Sequence, residues 1–196
     1  MFILKIIFLF ILCLNISTSY ASNIKNSAVI FMYHKFGVDK YPSTSVTIDQ
    51  FDAHIDELTN KKYSIKSLEF IIDTIINDGD LSENTIGISV DDANKSFYEQ
   101  GWPKFKHNGI PVTLFVNTST IQKNNKNYLN WDQIRKLRDE GVSIGAHSHS
   151  HYHMSELSIE EVKKEIEISN NIFLKELGKI PPLFAFPYGE ANKKII

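Results

Sequence analysis

The sequence predicts an α/β fold built on a parallel sheet, and three observations carry that expectation. Apolar runs of strand length alternate with segments of helical period, most intervals between the runs are long enough for a crossover helix, and several helix starts are legible as capping patterns. Periodicity alone leaves open whether such a sheet stays open or closes into a barrel.

Residues 1–21 stand apart from that pattern. Lys5, the apolar run from Ile6 to Leu14 and then Ser19-Tyr20-Ala21 give a charged start, a short apolar core and small residues around a cut. A secretory signal peptide cleaved after Ala21 is expected, and with it an exported protein of the periplasm or the extracellular cell envelope. The run is shorter than the ~20 residues of a spanning helix, so no stable membrane span is expected after cleavage. Cys13, the single cysteine, falls in this segment, so the mature chain must rely on a core rather than on disulfides. Residues 22–196 then read as one domain.

Along that domain, Ala28 to Tyr33 reads as a buried strand. Thr47 and Gln50 form a capping box ahead of Phe51, Ile55 and Leu58, and Ser67 caps a second helix carrying Phe70, Ile71, Thr74 and Ile75. Strands follow at Thr85 to Val90 and Val112 to Val116. The Asn- and Lys-rich tract from Gln122 to Tyr128 reads as a solvated loop. Trp131 to Glu140 is a helix closed by Gly141 as a left-handed cap, followed by a strand at Val142 to Gly145. Ser158 and Glu161 open a long helix with Ile159, Val162, Ile166, Phe173 and Leu177 on its apolar side, and a short strand is expected at Leu183 to Phe186.

The formal charge is −2 at pH 7, or −3 once Lys5 is removed with the leader. Neither value makes an electrostatic case for nucleic acid or anionic lipid as partner. Oligomeric state leaves no signal in the sequence.

Functional candidates come from where polar residues fall on this scaffold. His34, the pair Asp91-Asp92, His147 and Pro187-Tyr188-Gly189 each follow a predicted strand, and in a parallel α/β sheet the carboxyl ends share one face, where sites are built. Four of the seven histidines lie between Ala146 and His153. Two imidazoles four residues apart with one carboxylate would give a divalent ion three protein ligands and leave a position open for water. Zinc is the default for that set, with cobalt, nickel or iron as alternatives. Neighbouring strand residues point to opposite faces, so Asp91 and Asp92 can serve one site only if the strand has ended.

Ser89-Val90-Asp91-Asp92-Ala93, His147-Ser148-His149-Ser150-His151 and Phe184-Ala185-Phe186-Pro187-Tyr188-Gly189 resemble, in order and spacing, the first three motifs of the polysaccharide deacetylases. That family is carbohydrate esterase family 4, whose domain is also called the NodB homology domain. The resemblance covers about residues 28–190. It implies a distorted (β/α) barrel of the polysaccharide deacetylase type and a metal-dependent hydrolase that removes acetyl groups from N-acetylglucosamine units of a glycan: poly-N-acetylglucosamine, chito-oligosaccharide or peptidoglycan. Asp92, His147 and His151 would be the metal ligands, Asp91 the general base, and Tyr188 the donor of a backbone N–H to the oxyanion. His34 and Pro187 are possible pocket residues.

Three departures matter. Ala93 replaces the glycine after the acid pair, Val90 the phenylalanine before it, and Ala185 the arginine that in the family orients and charge-pairs the base. The fourth and fifth motifs, the last of which supplies a histidine acid for the leaving amine, would lie beyond Ile196, so a C-terminally incomplete barrel without full activity is expected. The alternative reading is a non-catalytic exported module that binds glycan or metal. His149 and His153 are expected to face away from the ligands, and His54 and His107 to be solvated.

Overall fold

The computed structural model describes residues 27–196 apart from Asn124; the expected signal peptide, with Cys13, lies outside the described residues. The chain begins with β1 (Val29–Tyr33), β2 (Lys35–Phe36), β3 (Ser45–Val46), α1 (Ile48–Thr59), β4 (Ser64–Ile65) and α2 (Leu68–Ile76). It continues through β5 (Thr85–Val90), a π-helical turn (Phe97–Gly101), α3 (Trp102–His107), β6 (Thr113–Val116) and α4 (Thr118–Gln122). It ends with α5 (Trp131–Asp139), β7 (Ser143–Ala146) and α6 (Ile159–Leu177).

The main sheet is parallel, in the order β1-β5-β6-β7, because a helix carries the chain back between successive strands. β5 is central, with all six residues buried, and Val29↔Ile86 through Tyr33↔Val90 set its register with β1. β4 pairs with the first two residues of β5, on the edge that β6 takes further along. The strands do not close into a ring among the described residues, so the alternating α/β architecture is observed without a closed barrel.

The capping patterns form as read. Thr47 and Gln50 make a reciprocal capping box on α1, Ser158 and Glu161 do the same on α6, and the Ser67 side chain accepts from the Phe70 N–H on α2. Each cap is worth about 1 kcal/mol, since it satisfies helix N–H groups that have no partner inside the helix. Gly141 stands just past α5 with φ 106°, the left-handed stop expected of it.

Two expectations need correction. β1 is not buried: Val29, Ile30, Phe31 and Met32 are 56, 46, 45 and 60% exposed. An apolar run on both faces is what a covered parallel strand looks like, but β1 pairs with β5 on one edge and lies at the margin of the sheet. The strand expected at Leu183 to Phe186 is a single parallel bridge, Ala146↔Phe184, held by Ala146 N–H to Leu183 O (2.8 Å) and Ala185 N–H to Ala146 O (2.9 Å). Pro181, Pro182 and Pro187 flank it, and none of them can donate to a ladder.

On one side of β5 the core is an aromatic cluster. Phe36 and Phe51 meet edge to face at 4.7 Å, and Phe51 meets Phe105 at 5.0 Å, all three buried. Burying each such ring stabilises the fold by roughly 2–3 kcal/mol. Ile134, Leu137 and Phe173 bring α5 and α6 into the same core. Packing therefore fixes the sheet, and five segments leave its carboxyl ends together: His34, Asp91-Asp92, Asn117, His147 and Ala185 to Tyr188. Among the described residues no helix is long and apolar enough to cross a membrane.

Candidate metal centre

Asp91 follows the last residue of β5, and the chain turns sharply at Asp92 (φ 70°) and Ala93 (φ 53°). The strand has therefore ended, as the acid pair requires, and both carboxylates line one cavity of about 760 Å³. A second loop, from His147 to His151 after β7, enters the same cavity.

His151 Nε2 lies 3.1 Å, and His147 Nε2 3.8 Å, from the same oxygen, Oδ1 of Asp92. One ligand atom from each of the three lies within 4.8 Å of the others, the spacing of donors around one divalent ion. The tautomer of His147 follows from its hydrogen bond: Nδ1 donates to the Ala185 carbonyl at 2.8 Å, leaving the lone pair of Nε2 directed at Asp92. Burial lowers the His147 pKa, despite that bond and the charge of Asp92, so the ring is held neutral as a ligand must be. For Asp92, burial acts upward, but the hydrogen bond and charge of His151 and the charge of His147 outweigh it and the pKa falls. His151 moves the opposite way: burial lowers it, and the bond and charge of Asp92 raise it overall. These donors fit a divalent cation, whose charge would take the place of the His151 proton beside Asp92.

The loop is braced from outside. His151 N–H donates to Ser148 Oγ at 3.0 Å, Ser150 N–H donates to Glu165 of α6 at 2.7 Å, and the Ser169 hydroxyl donates to Ser148 O at 3.3 Å. His149 turns away, its Nδ1 2.8 Å from Thr118 Oγ1 of α4. His153 is also outside the ligand set, with its ring flat against that of Tyr188 (3.9 Å, 7°) and Nδ1 2.9 Å from Glu190. His107 is exposed as expected, whereas His54, also exposed, is bonded to the Tyr33 hydroxyl at 3.1 Å.

Asp91 is buried, at 5% exposure, beside this cluster, and its Oδ1 has no hydrogen-bond partner among the described residues. Burial first, and the neighbouring Asp92 second, push its pKa up to about 7. That is the range of a general base at neutral pH. The position where a cation would steady it is Ala185, which contributes only main chain, accepting from His147 and donating to Ala146.

Of the remaining candidates, His34 and Tyr188 line the same space, and the buried Pro187 is not among its lining residues. His34 shares the cavity with Asp92, and burial holds its pKa low against the pull of Asp92. Pro187 is buried and starts the turn that sets Tyr188 at φ 60°, with its ring edge-on to His151 at 4.6 Å. Ile30, Met32, Leu68, Phe115 and Phe184 form an apolar wall.

Sequence reasoning missed Asn117. It follows β6, is 2% exposed, and its Nδ2 donates to Asp92 Oδ1 at 3.3 Å, which fixes that carboxylate. An asparagine directly after a strand and before Thr118 reads as a helix cap, but its side chain makes no cap bond.

The model of the family described as polysaccharide deacetylase matches residues 78–196. YxkH of Bacillus subtilis is 23% identical over 167 residues, covering 85% of this chain and 58% of its own. The poly-beta-1,6-N-acetyl-D-glucosamine N-deacetylase of Staphylococcus aureus (strain MRSA252) is 25% identical over 196 residues, covering 92% and 65%. The chain thus spans about three-fifths of the length of these relatives. Among solved structures, Streptococcus pyogenes deacetylase PplD in complex with acetate superposes with a TM-score of 0.77 at 21% identity, covering 88% of this chain and 77% of that one.

Proposed function

The chain belongs to the polysaccharide deacetylase family, and from that premise we propose that it is an exported, metal-dependent hydrolase removing N-acetyl groups from N-acetylglucosamine-containing glycans. The observation that carries this reading is the cluster of Asp92, His147 and His151 with the unpartnered Asp91 beside it in one cavity. The activity for which the Staphylococcus aureus relative is named supports poly-N-acetylglucosamine as one such glycan, with chito-oligosaccharide and peptidoglycan as the others.

Asp92 Oδ1, His147 Nε2 and His151 Nε2 would hold the ion, zinc by preference for two imidazoles and a carboxylate. When bound, such an ion polarises an amide carbonyl and makes water more acidic. Asp91 takes the proton from the attacking water as its oxygen bonds to the carbonyl carbon. The Tyr188 backbone N–H donates to the carbonyl oxygen as negative charge builds there. The C–N bond then breaks, and Asp91 returns its proton to the departing amine, leaving acetate and a free amino sugar. The apolar wall and the Tyr188 ring keep bulk water away from the acetyl methyl.

The test is acetate release from chito-oligosaccharides and poly-N-acetylglucosamine, with metal removed by chelation and then restored. Turnover that follows metal content supports the proposal. Metal held at one equivalent with no acetate from any of these glycans supports instead a glycan- or metal-binding module, the reading that the loss of the arginine at Ala185 favours.

A further inference from the structure

Beside the metal centre lies a second cavity of about 630 Å³, lined by Lys35, Lys40, Lys95 and Lys126 with Tyr41 and Tyr128. Among the described residues Glu99 is the one carboxylate in its lining, and it is already paired with Lys95 at 3.3 Å. Four lysines and one glutamate give this groove a formal charge of +3 (4 − 1), on a protein whose total is −2. A local excess of that size, set against the sign of the whole molecule, selects for negative charge at this place only.

The arrangement is more than a scatter of surface lysines. The ammonium groups of Lys35 and Lys40 lie 5.1 and 5.4 Å from the centre of one ring, Tyr41, so two like charges are gathered on a single aromatic side chain. An anion beside that ring is attracted by both. Lys35 is further held by Thr44, whose Oγ1 accepts from Nζ at 3.0 Å.

Residues next in sequence to those of the groove line the cavity of the metal centre. Lys35 follows His34, and both His34 and Thr44 line the cavity of Asp92. On the other side Tyr128 bridges to Asn94, two residues beyond Asp92, and feels the Asp92 charge: burial and then that charge push its hydroxyl pKa up. A polymer reaching the metal centre would therefore extend over Tyr128, whose ring offers the apolar face a pyranose packs against, toward the lysines gathered at Tyr41.

Resting on the hydrolase reading above, we infer that the preferred substrate is an anionic glycan, with a negative group on a sugar near the one hydrolysed held by Lys35, Lys40 and Lys126. The chemistry recognised is a carboxylate or a phosphate ester carried by the sugar.

Neutral chito-oligosaccharides are compared with the same oligomers oxidised to carboxylates at C6 and with oligomers phosphorylated at C6. Acetate release is measured for the wild type and for a Lys40→Gln/Lys126→Gln variant, at low and high salt. Oligomer binding to Asp91→Asn protein is measured by calorimetry, which needs no turnover. The expected kcat/KM ratio of anionic to neutral substrate is about 10-fold or more, the scale of a few exposed charge pairs, expressed in KM. It should fall toward unity in the double variant and in high salt, and the carboxylate and phosphate arms show which group fits. Acetate released equally from neutral and anionic oligomers, or a preference that survives both lysine changes, overturns the groove assignment and leaves the hydrolase standing. Tighter, lysine-dependent binding of anionic oligomers without acetate from any of them upholds the groove and removes the hydrolase.

Discussion

The two ends of the parallel sheet turn the chain by the same backbone conformation with different residues. At the amino ends, left-handed positions are Gly109 before β6, Gly141 before β7 and Gly178 after α6, or the exposed Lys61, Asp78 and Asn84. At the carboxyl ends, besides Gly37 and Gly189, they are Asp92, Ala93, Ser148, His151 and Tyr188, with φ between 53 and 70°. A left-handed L-residue costs roughly 1–2 kcal/mol. Where a connection only has to turn, glycine or a solvated polar residue removes or softens that cost; where it has to present a ligand, the strain remains and is held by bonds such as His151 N–H to Ser148. The unpartnered Asp91 carboxylate belongs to the same end and the same logic. Chemistry at this sheet is set up by leaving local costs in place.

Asp91→Asn offers the largest effect with which to break that contrast. Turnover should fall by about 10²–10⁴-fold, the scale of a lost general base, while metal content stays at the wild-type level. Stability should move the other way. The Asp91 pKa is raised from 3.8 to about 7 in the fold, so the fold favours its neutral form. That contribution to stability is complete below pH 4 and is lost as pH rises to 7, and ionisation in the metal-free protein costs on the order of a few kcal/mol above that. The variant should therefore melt higher than wild type at pH 8 without metal, with the advantage shrinking toward pH 4. Wild-type activity needs the ionised carboxylate, so its acid limb should rise toward neutral pH, with a midpoint at or below about 7 once a cation adjoins Asp92. Urea titrations at pH 5 and 8 that show no difference between the two proteins would remove strain at Asp91 from the account.

His151→Gly comes next, because it separates strain from ligation at one position. Glycine accepts φ 58° without strain, but the variant also loses the bond and charge that His151 gives Asp92, so the metal-free protein should melt at or below the wild-type temperature. Metal affinity should drop by at least about 100-fold, more than the loss of a mere supporting bond. A variant that binds metal as tightly as wild type would exclude His151 as a ligand.

How much of this contrast the sequence carried differs between the two ends. Helix caps and the left-handed Gly141 are local chemistry and were legible, as was β5 as a strand; its central place was not, since Thr85, Gly87 and Ser89 interrupt its apolar residues. β1 was misread because an apolar run reports what a strand would bury, not whether a neighbour covers it. The two-residue strands β2, β3 and β4 are too short for any period. At the site, two histidines four residues apart with a nearby carboxylate were legible in the sequence, the choice of Asp92 over Asp91 came from the family resemblance, and the loop at Asp91-Asp92 was legible through strand geometry. Asn117 was not, because a lone asparagine after a strand looks like a cap until the structure turns its amide toward Asp92. The lysine groove escaped for a similar reason: its residues come from three distant segments, and a net charge of −2 averages them away.

Asn117→Ala tests a residue that holds a ligand without being one. Removing its bond to Asp92 Oδ1 should weaken metal binding by about 10–100-fold and leave the pH dependence of turnover unchanged once metal is saturating. Metal titration by competition with a chelator reads the first, and the pH profile reads the second. Unaltered affinity would reduce Asn117 to packing.

The smallest effect sharpens the comparison most, by exchanging the residues that define it. Gly141→Ala places a methyl at φ 106° in open space, so nothing collides; about 1–2 kcal/mol of backbone strain is added, the stiffer unfolded chain returns roughly 0.5–1, and about 1 kcal/mol should be lost, some 2–4 °C in melting temperature. Ala93→Gly is the reverse change at the site, at φ 53° and 0% exposure. It relieves about 1–2 kcal/mol of strain, but the freer unfolded glycine takes back roughly 0.5–1 kcal/mol and the lost buried methyl about 0.8. These terms nearly cancel, so Ala93→Gly should shift stability by less than about 1 kcal/mol while Gly141→Ala loses more. Calorimetry of both variants at one pH decides it. A gain of several kcal/mol at Ala93 would mean that the strain beside Asp92 is deeper than the backbone angle implies, and a large loss would mean that the buried methyl, not the turn, is what the alanine contributes.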